Sequence, residues 1–212
     1  MINVPFISNT SDDLHCLQAT YMMIVKYFMP NFDIDWQEWS IITGYEAGKG
    51  TWALSSILWL TNNNFIVKHV SLFDYETFVS RGGQYLKDEY GEEVGSWQIK
   101  HTNMPKEISL SKQLLINNLV EKREPTISEI EMLLDEGYLI HCLVNSNKLN
   151  QKQGYVGHAI VVYGHDKENL FIHDPGLPAV PSRKVNFNDF ESSWASPNKQ
   201  AKELTAVKLK TV

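Results

Sequence analysis

Apolar positions along the chain fall into two kinds of repeat, and the change from one to the other divides it. From Leu14 they recur as Leu14, Leu17, Tyr21, Ile24/Val25 and Phe28, one face of a helix that must stop before Pro30. The polar run Asn9 to Asp13 ahead of it offers oxygens that can cap the free N–H groups of that helix. Trp36 to Trp39 reads as a short helix. Thr51 to Thr61, with Leu54, Ile57, Leu58 and Leu60, reads as a second buried one, ended by the Asn62-Asn63-Asn64 turn, and Phe65 to Val70 is strand-like.

The stretch from about 74 to 122 is more charged, carries Gly82, Gly83 and Gly91, and shows helical patterns over Phe78–Tyr90 and Lys112–Leu119. It is read as a helical insertion in a single domain of residues 1–212. Thr126-x-x-Glu129 is a capping box for a helix containing Ile130, Leu133 and Leu134 and stopped by Gly137. Three strands are then predicted, Tyr138–Val144, Gly157–Tyr163 and Leu170–His173, all rich in β-branched and aromatic residues. Helices first and an antiparallel sheet afterwards is the α+β arrangement.

Composition narrows the function. With 43% hydrophobic and 21% charged residues in 212, the chain has the makings of a folded core, and its net charge of −6 gives no basic surplus for gripping nucleic acid. No apolar run approaches the roughly 18 residues that span a bilayer, and no signal peptide is seen at the N-terminus, so a cytoplasmic location is expected. Two cysteines, Cys16 and Cys142, make no disulfide framework and no Cys/His zinc signature, and no metal or other cofactor is expected.

Candidate chemistry starts at Cys16. It falls in the first turn of the first predicted helix, where unpaired N–H groups and the helix dipole favour a thiolate, and at the rim of the apolar stripe, where it can face a cleft. The opposing reading is a small buried hydrophobe. His158 begins the strand Gly157 to Gly164, and a hairpin centred on Asp166 puts it opposite Asp174 with a tolerance of one residue. An aspartate there can accept the Nδ1–H of the imidazole and leave the other nitrogen to take a proton from a thiol. Against this, His158 can be a satisfied core histidine, and Asp174-Pro175-Gly176 can be a strand-ending turn.

Taken together, Val4-Pro5-Phe6-Ile7, Asp13-Leu14-His15-Cys16-Leu17-Gln18-Ala19, Gly137-Tyr138-Leu139-Ile140, Gly157 to Gly164 and His173-Asp174-Pro175-Gly176 resemble the C39-like branch of papain-fold cysteine peptidases, best known as the leader-peptide-cleaving domains of bacteriocin exporters. The resemblance covers the first 30 residues and about 125 to 195, including Phe190 and Trp194. It implies a papain-like fold, with N-terminal helices packed on a C-terminal antiparallel sheet and the site between them. It also implies Cys16 as nucleophile, His158 as general base and acid, and Asp174 as orienter, acting on a peptide without a cofactor.

Two positions depart from the family's pattern. Leu17 stands where a glycine usually follows the cysteine, and Thr10 where a glutamine usually helps hold the oxyanion. Asn9 is the nearest upstream amide and the oxyanion candidate, with the backbone N–H of Cys16 as a second donor; Gln18 lies on the wrong side of the nucleophile. His15 stands where exporter peptidases commonly carry Asp and is read as a solvent-facing or capping residue. The His15-Cys16 pair also resembles acyl-transferring relatives, so an acyltransferase on the same thioester chemistry and a catalytically silent peptide-binding module stay open beside the peptidase. His69, His101, His141, His165 and His173 show no ligand spacing, with His173 on the opposite strand face from Asp174; Cys142 and most of the tryptophans are read as core.

Overall fold

The computed structural model describes residues 2–210, so Met1, Thr211 and Val212, at the ends of the expected domain, lie outside the described residues. Three helices come first: α1 (Cys16–Phe28), α2 (Trp36–Ile42) and α3 (Leu54–Asn62). Strand β1 (Phe65–Ser71) follows, then α4 (Tyr75–Arg81), α5 (Gly83–Tyr90), α6 (Glu92–Lys100) and α7 (Met104–Ile116). The rest runs β2 (Val120–Lys122), α8 (Ile127–Asp135), β3 (Leu139–Asn145), α9 (Ser146–Leu149), β4 (Gly157–His165), β5 (Asn169–Asp174), β6 (Val180–Asn186), α10 (Phe187–Trp194) and β7 (Glu203–Leu209).

Local chemistry accounts for most of these limits. Asp35 caps α2 by accepting the Glu38 N–H at 2.9 Å, and Thr126 caps α8 by accepting the Glu129 N–H at 3.1 Å, as the capping box requires. Gly82 has φ +54, a backbone state that ordinary residues avoid, and it splits the helical pattern predicted over 78–90 into α4 and α5. Helix α6 was not predicted, because its sequence has no sustained apolar stripe. Helix α7 starts earlier than its predicted 112, at an Asn103 cap with Pro105 in the first turn.

All seven strands lie in one sheet in the order β2-β1-β7-β3-β4-β5-β6. Two features differ from helices first and antiparallel strands afterwards. The early strand β1 joins the same sheet beside the last strand, β7, and it pairs with β2 in parallel. Strands β2 and β6 escape the sequence because the one is short and the other polar, and only partners across the sheet make them strands; β7, Glu203 to Leu209, is a further unpredicted strand, although it is mostly apolar.

Helices also cover both faces of the sheet, where a single layer was expected. The pleat sends Leu139, Ala159, Val161, Tyr163 and Val207 into one core with α1, α3 and the helices of the 75–116 region. It sends Ile140, Cys142, Ile160, Val162, Ile172, Leu204 and Ala206 into a second core with α8 and α10. Burying apolar side chains on both faces explains why β3 and β4 read as nearly continuous apolar runs. Among the described residues, no helix is long and apolar enough to cross a membrane.

Candidate active site

Helix α1 begins at Cys16 itself, two residues after Leu14 opens the apolar stripe. His15 holds the cap position without a side-chain cap bond. The polar run ahead of it acts through Asn9, whose Oδ1 accepts the N–H groups of His15 at 2.8 Å and Thr10 at 2.9 Å. The Asn9 Nδ2 donates to Asp13 Oδ1 at 2.7 Å. Its backbone N–H donates to the Pro175 carbonyl at 2.7 Å, which fastens the loop before Cys16 to the turn after Asp174. Asn9 is therefore buried at the start of the Cys16 helix, with one of its two Nδ2 hydrogens held by Asp13.

His158 and Asp174 come from β4 and β5, and their pairing differs from the sequence reading by two residues. Val161 opposes His173 and Val162 opposes Ile172, so the register carried on puts Asp174 across from Ile160 instead of His158. The hairpin is tighter than assumed, pairing His165 with Leu170, and a bulge at Tyr163 takes up one residue. Because the offset is even, His158 and Asp174 keep the same face and meet on the diagonal. The His158 Nε2–H donates to Asp174 Oδ1 at 2.7 Å, and both side chains are buried. The Gly176 N–H donates to the same oxygen at 3.1 Å.

This contact corrects the expected use of the ring, in which Asp174 took the Nδ1–H. Asp174 reaches the outer edge of the imidazole, where Nε2 lies. The His158 ring and the Ala159 N–H of β4 are the neighbours that act on the Cys16 thiol and lower it. With Nε2 given to Asp174, the inner nitrogen Nδ1 is left for the thiol.

The electrostatics follow from these contacts. Burial alone pushes the Cys16 thiol up, but the His158 hydrogen bond and charge, together with the Ala159 and Leu17 N–H groups, outweigh it, and the thiol is held below its ordinary value. Burial opposes charge on His158, yet the hydrogen bonds to Asp174 and Cys16 raise its imidazole well above the usual range. For Asp174 burial again works against the ionised form, and the His158 hydrogen bond more than compensates, so the carboxyl is lowered. All three directions favour a thiolate–imidazolium pair backed by a carboxylate.

His15 is buried, which overturns its reading as a solvent-facing residue. Its ring stacks on Tyr45 with centroids 4.1 Å apart, and its Nδ1 shares a 2.8 Å hydrogen bond with the Thr10 hydroxyl. A groove of about 430 Å³ opens there, lined by His15, Trp36, Gln37, Ser40, Ile41 and Tyr45. Trp36 is thus a tryptophan at a groove, while Trp39 is core and Trp97 is exposed. Cys142 is buried in the second core. His173 lies on the face away from Asp174, where its Nε2–H donates to the Val4 carbonyl at 3.0 Å and its Nδ1 accepts the Ser182 N–H at 3.1 Å. Among the described residues, no group of three or more His, Cys, Asp and Glu side chains is placed to hold a metal ion.

One residue of the cluster left no signal in the sequence. Arg183, beside Lys184 in the unpredicted strand β6, donates from Nη1 to Asp174 Oδ2 at 3.0 Å.

The sequence profile of the Peptidase_C39 like family matches residues 1–202. Among solved structures, the chain is similar to a double glycine motif protease from an AMS/PCAT transporter, crystallised in complex with the leader peptide. The identity is 15% over 98% of this chain and 93% of that one, with a TM-score of 0.51. It is also similar to the peptidase domain of Streptococcus ComA, a bi-functional ABC transporter involved in a quorum sensing pathway, at 15% identity over 99% and 100% of the two chains and a TM-score of 0.49. A putative C39-like peptidase from Bacillus anthracis matches at 20% identity over 49% of this chain and 57% of that one, with a TM-score of 0.34. No curated protein matches. The fold is the papain-like one of C39 peptidase domains.

Proposed function

Because the chain belongs to the Peptidase_C39 like family, we propose that it is a cysteine peptidase in which Cys16 is the nucleophile, His158 the general acid and base, and Asp174 the residue that orients the imidazole. The observation that carries this reading is the buried 2.7 Å contact of the His158 ring with Asp174 Oδ1, with Cys16 the first residue of its helix and its thiol lowered by that same imidazole.

In this reading the thiolate attacks the peptide carbonyl carbon and the carbonyl oxygen becomes an oxyanion. The backbone N–H of Cys16 and the second Nδ2 hydrogen of Asn9 are the donors assigned to it. One such donor is worth about 3 kcal/mol of transition-state stabilisation. As the C–N bond breaks, the Nδ1 proton of His158 passes to the leaving amine and a thioester remains on Cys16. Water then gives a proton back to Nδ1, its oxygen attacks the thioester, and the acid leaves with the thiol regenerated as thiolate. The groove lined by Trp36, Ile41 and Tyr45 is apolar and begins one residue from Cys16, and it receives an apolar stretch of the peptide.

The same reading takes the chain as one domain, with the region at about 74–122 as an insertion. It also assigns the cytoplasm as the compartment, where an unpaired thiol stays reduced.

The test is incubation of the protein and its Cys16→Ala variant with synthetic peptides, some carrying a double glycine before the cut and some without it. Products and enzyme are followed by mass spectrometry. Cleavage with a transient acyl adduct on Cys16, absent in the variant, is the expected result. Transfer of the acyl group to an added amine in preference to water moves the reading to an acyltransferase. A folded protein that gives neither product nor adduct is a binding module.

A further inference from the structure

The two oxygens of Asp174 are divided between two partners. Oδ1 takes the His158 Nε2–H at 2.7 Å and the Gly176 N–H at 3.1 Å, and Oδ2 takes the Arg183 Nη1–H at 3.0 Å. Arg183 opposes Ile172 across β5 and β6, which puts it on the same sheet face as Asp174. Its guanidinium is also held from behind, with Nη1 donating to Asn150 Oδ1 at 2.8 Å and Nη2 to the Leu149 carbonyl at 2.6 Å. Both acceptors lie at the end of α9, before the loop that leads into β4 and His158.

We propose that Arg183 is a positioning residue for the site: by occupying Asp174 Oδ2 it keeps the carboxylate ionised and turned so that Oδ1 meets the imidazole, and it anchors that carboxylate to the end of α9. The inference rests on reading Cys16, His158 and Asp174 as one unit.

Asp174 is buried, with its side chain 5% exposed. Burial favours the neutral acid, and an adjacent guanidinium opposes it by one to three pH units in typical cases. Without Arg183, Oδ2 is buried with no donor, so the carboxyl takes up a proton at higher pH. A protonated Asp174 no longer stabilises the imidazolium, and the thiolate it supports is lost with it. The charged and titratable groups meeting Asp174 are His158 from β4 and Arg183 from β6, with Cys16 of α1 beyond the imidazole; α9 contributes only neutral acceptors. A fork reaching three acceptors at once is a task for arginine, since a lysine ammonium meets only part of the set.

The experiment measures alkylation of Cys16 by iodoacetamide from pH 4 to 10, with peptide mass spectrometry separating Cys16 from Cys142. The proteins are the wild type, Arg183→Met, Arg183→Lys and Asp174→Asn. In the wild type the rate is expected to persist well below the ordinary thiol range. In Arg183→Met the acid limb is expected to move up by about one pH unit, a roughly tenfold slower reaction on that limb, and to rejoin the wild type above pH 9 where the thiol ionises unaided. Arg183→Lys should fall between them, and Asp174→Asn should move at least as far as Arg183→Met. A residue that merely staples α9 to β6 lowers the melting temperature and leaves the limb in place. An Arg183→Met profile superimposed on the wild type, with Asp174→Asn shifted, overturns the role of Arg183 and spares the triad reading. A wild-type profile with the midpoint of an ordinary thiol overturns both. If Arg183→Met does not fold, the decision falls to Arg183→Lys, and an unshifted limb in that variant overturns the proposal.

Discussion

Gly176 lies against the His158 imidazole so closely that a Cβ at position 176 would stand 3.2 Å from both Cε1 and Nε2 of the ring and 3.0 Å from Asp174 Oδ1. The absence of a side chain there is what lets the turn after β5 close over the histidine–aspartate contact. Gly176→Ala is expected to leave the melting temperature within a few degrees of wild type and to lower kcat by tenfold or more, since a shift of well under an ångström spoils a 2.7 Å hydrogen bond. Steady-state kinetics on a cleaved peptide, beside a thermal melt, check it. Unchanged kcat in the folded variant refutes the tight packing as a functional constraint.

Cys16→Ala is expected to abolish turnover and to keep the fold, because the helix it begins is held by Asn9 and by its own apolar face. His158→Ala should keep peptide binding while returning the Cys16 thiol toward ordinary reactivity, since the ring supplies the main stabilisation of the thiolate. Circular dichroism and a binding titration with an uncleaved peptide separate loss of chemistry from loss of fold.

The pH dependence of kcat/KM should be bell-shaped, as expected for an ion pair. The thiol of Cys16 is lowered and the imidazole of His158 is raised, so the active thiolate–imidazolium form exists between the two. Activity is lost on the acid side as the thiolate is protonated, and on the alkaline side as the imidazolium loses its proton, a limb near 10. A profile that rises only through the ordinary thiol range, with no plateau at neutral pH, contradicts the pair.

Acid should destabilise the fold through two histidines outside the site. His69 and His141 are buried neutral in adjoining positions on either side of Thr205, with His69 lowered to about 4 and His141 to about 3 by burial. Their unfolded forms take up a proton near 6.5 while the folded forms resist, so stability is present above 6.5 and is lost as pH falls toward 4. Each depressed unit is worth about 1.4 kcal/mol. His141→Leu, which removes two ring nitrogens that have no hydrogen-bond partner, should flatten the fall in melting temperature between pH 6.5 and 4. An unchanged slope in that variant assigns the acid sensitivity elsewhere.

Helix packing offers a stability test away from the cleft. A Cβ at Gly95 would stand 2.5 Å from the Lys87 Cα, a backbone atom that cannot step aside. Gly95→Ala should therefore pry α6 from α5 and cost about 1–3 kcal/mol, in the range of an overpacked core. Gly48→Ala, at a glycine with open space around it, measures the cost of φ +74 without a clash. Chemical denaturation of the two variants compares the terms directly.

Much of the candidate site was legible in the sequence because its parts sit at ends of strongly patterned elements. Cys16 heads an amphipathic helix, His158 opens an apolar strand, and Asp174 precedes a Pro-Gly turn. Period and punctuation locate all three residues, and the even side-chain period keeps His158 and Asp174 on one face even though their register is two residues off. What the sequence could not carry was anything fixed by partners distant along the chain. Strands β2 and β6, one of three residues and the other mostly polar, have no apolar pattern of their own and exist through their neighbours. The choice between Nε2 and Nδ1 depends on how closely α1 approaches the β4 backbone, and Arg183 acquires its place only when β6 lies down beside β5. Periodicity records which way a side chain faces its own element, whereas hydrogen-bond partners are set by the register and distance between elements, and these the packed tertiary structure alone decides.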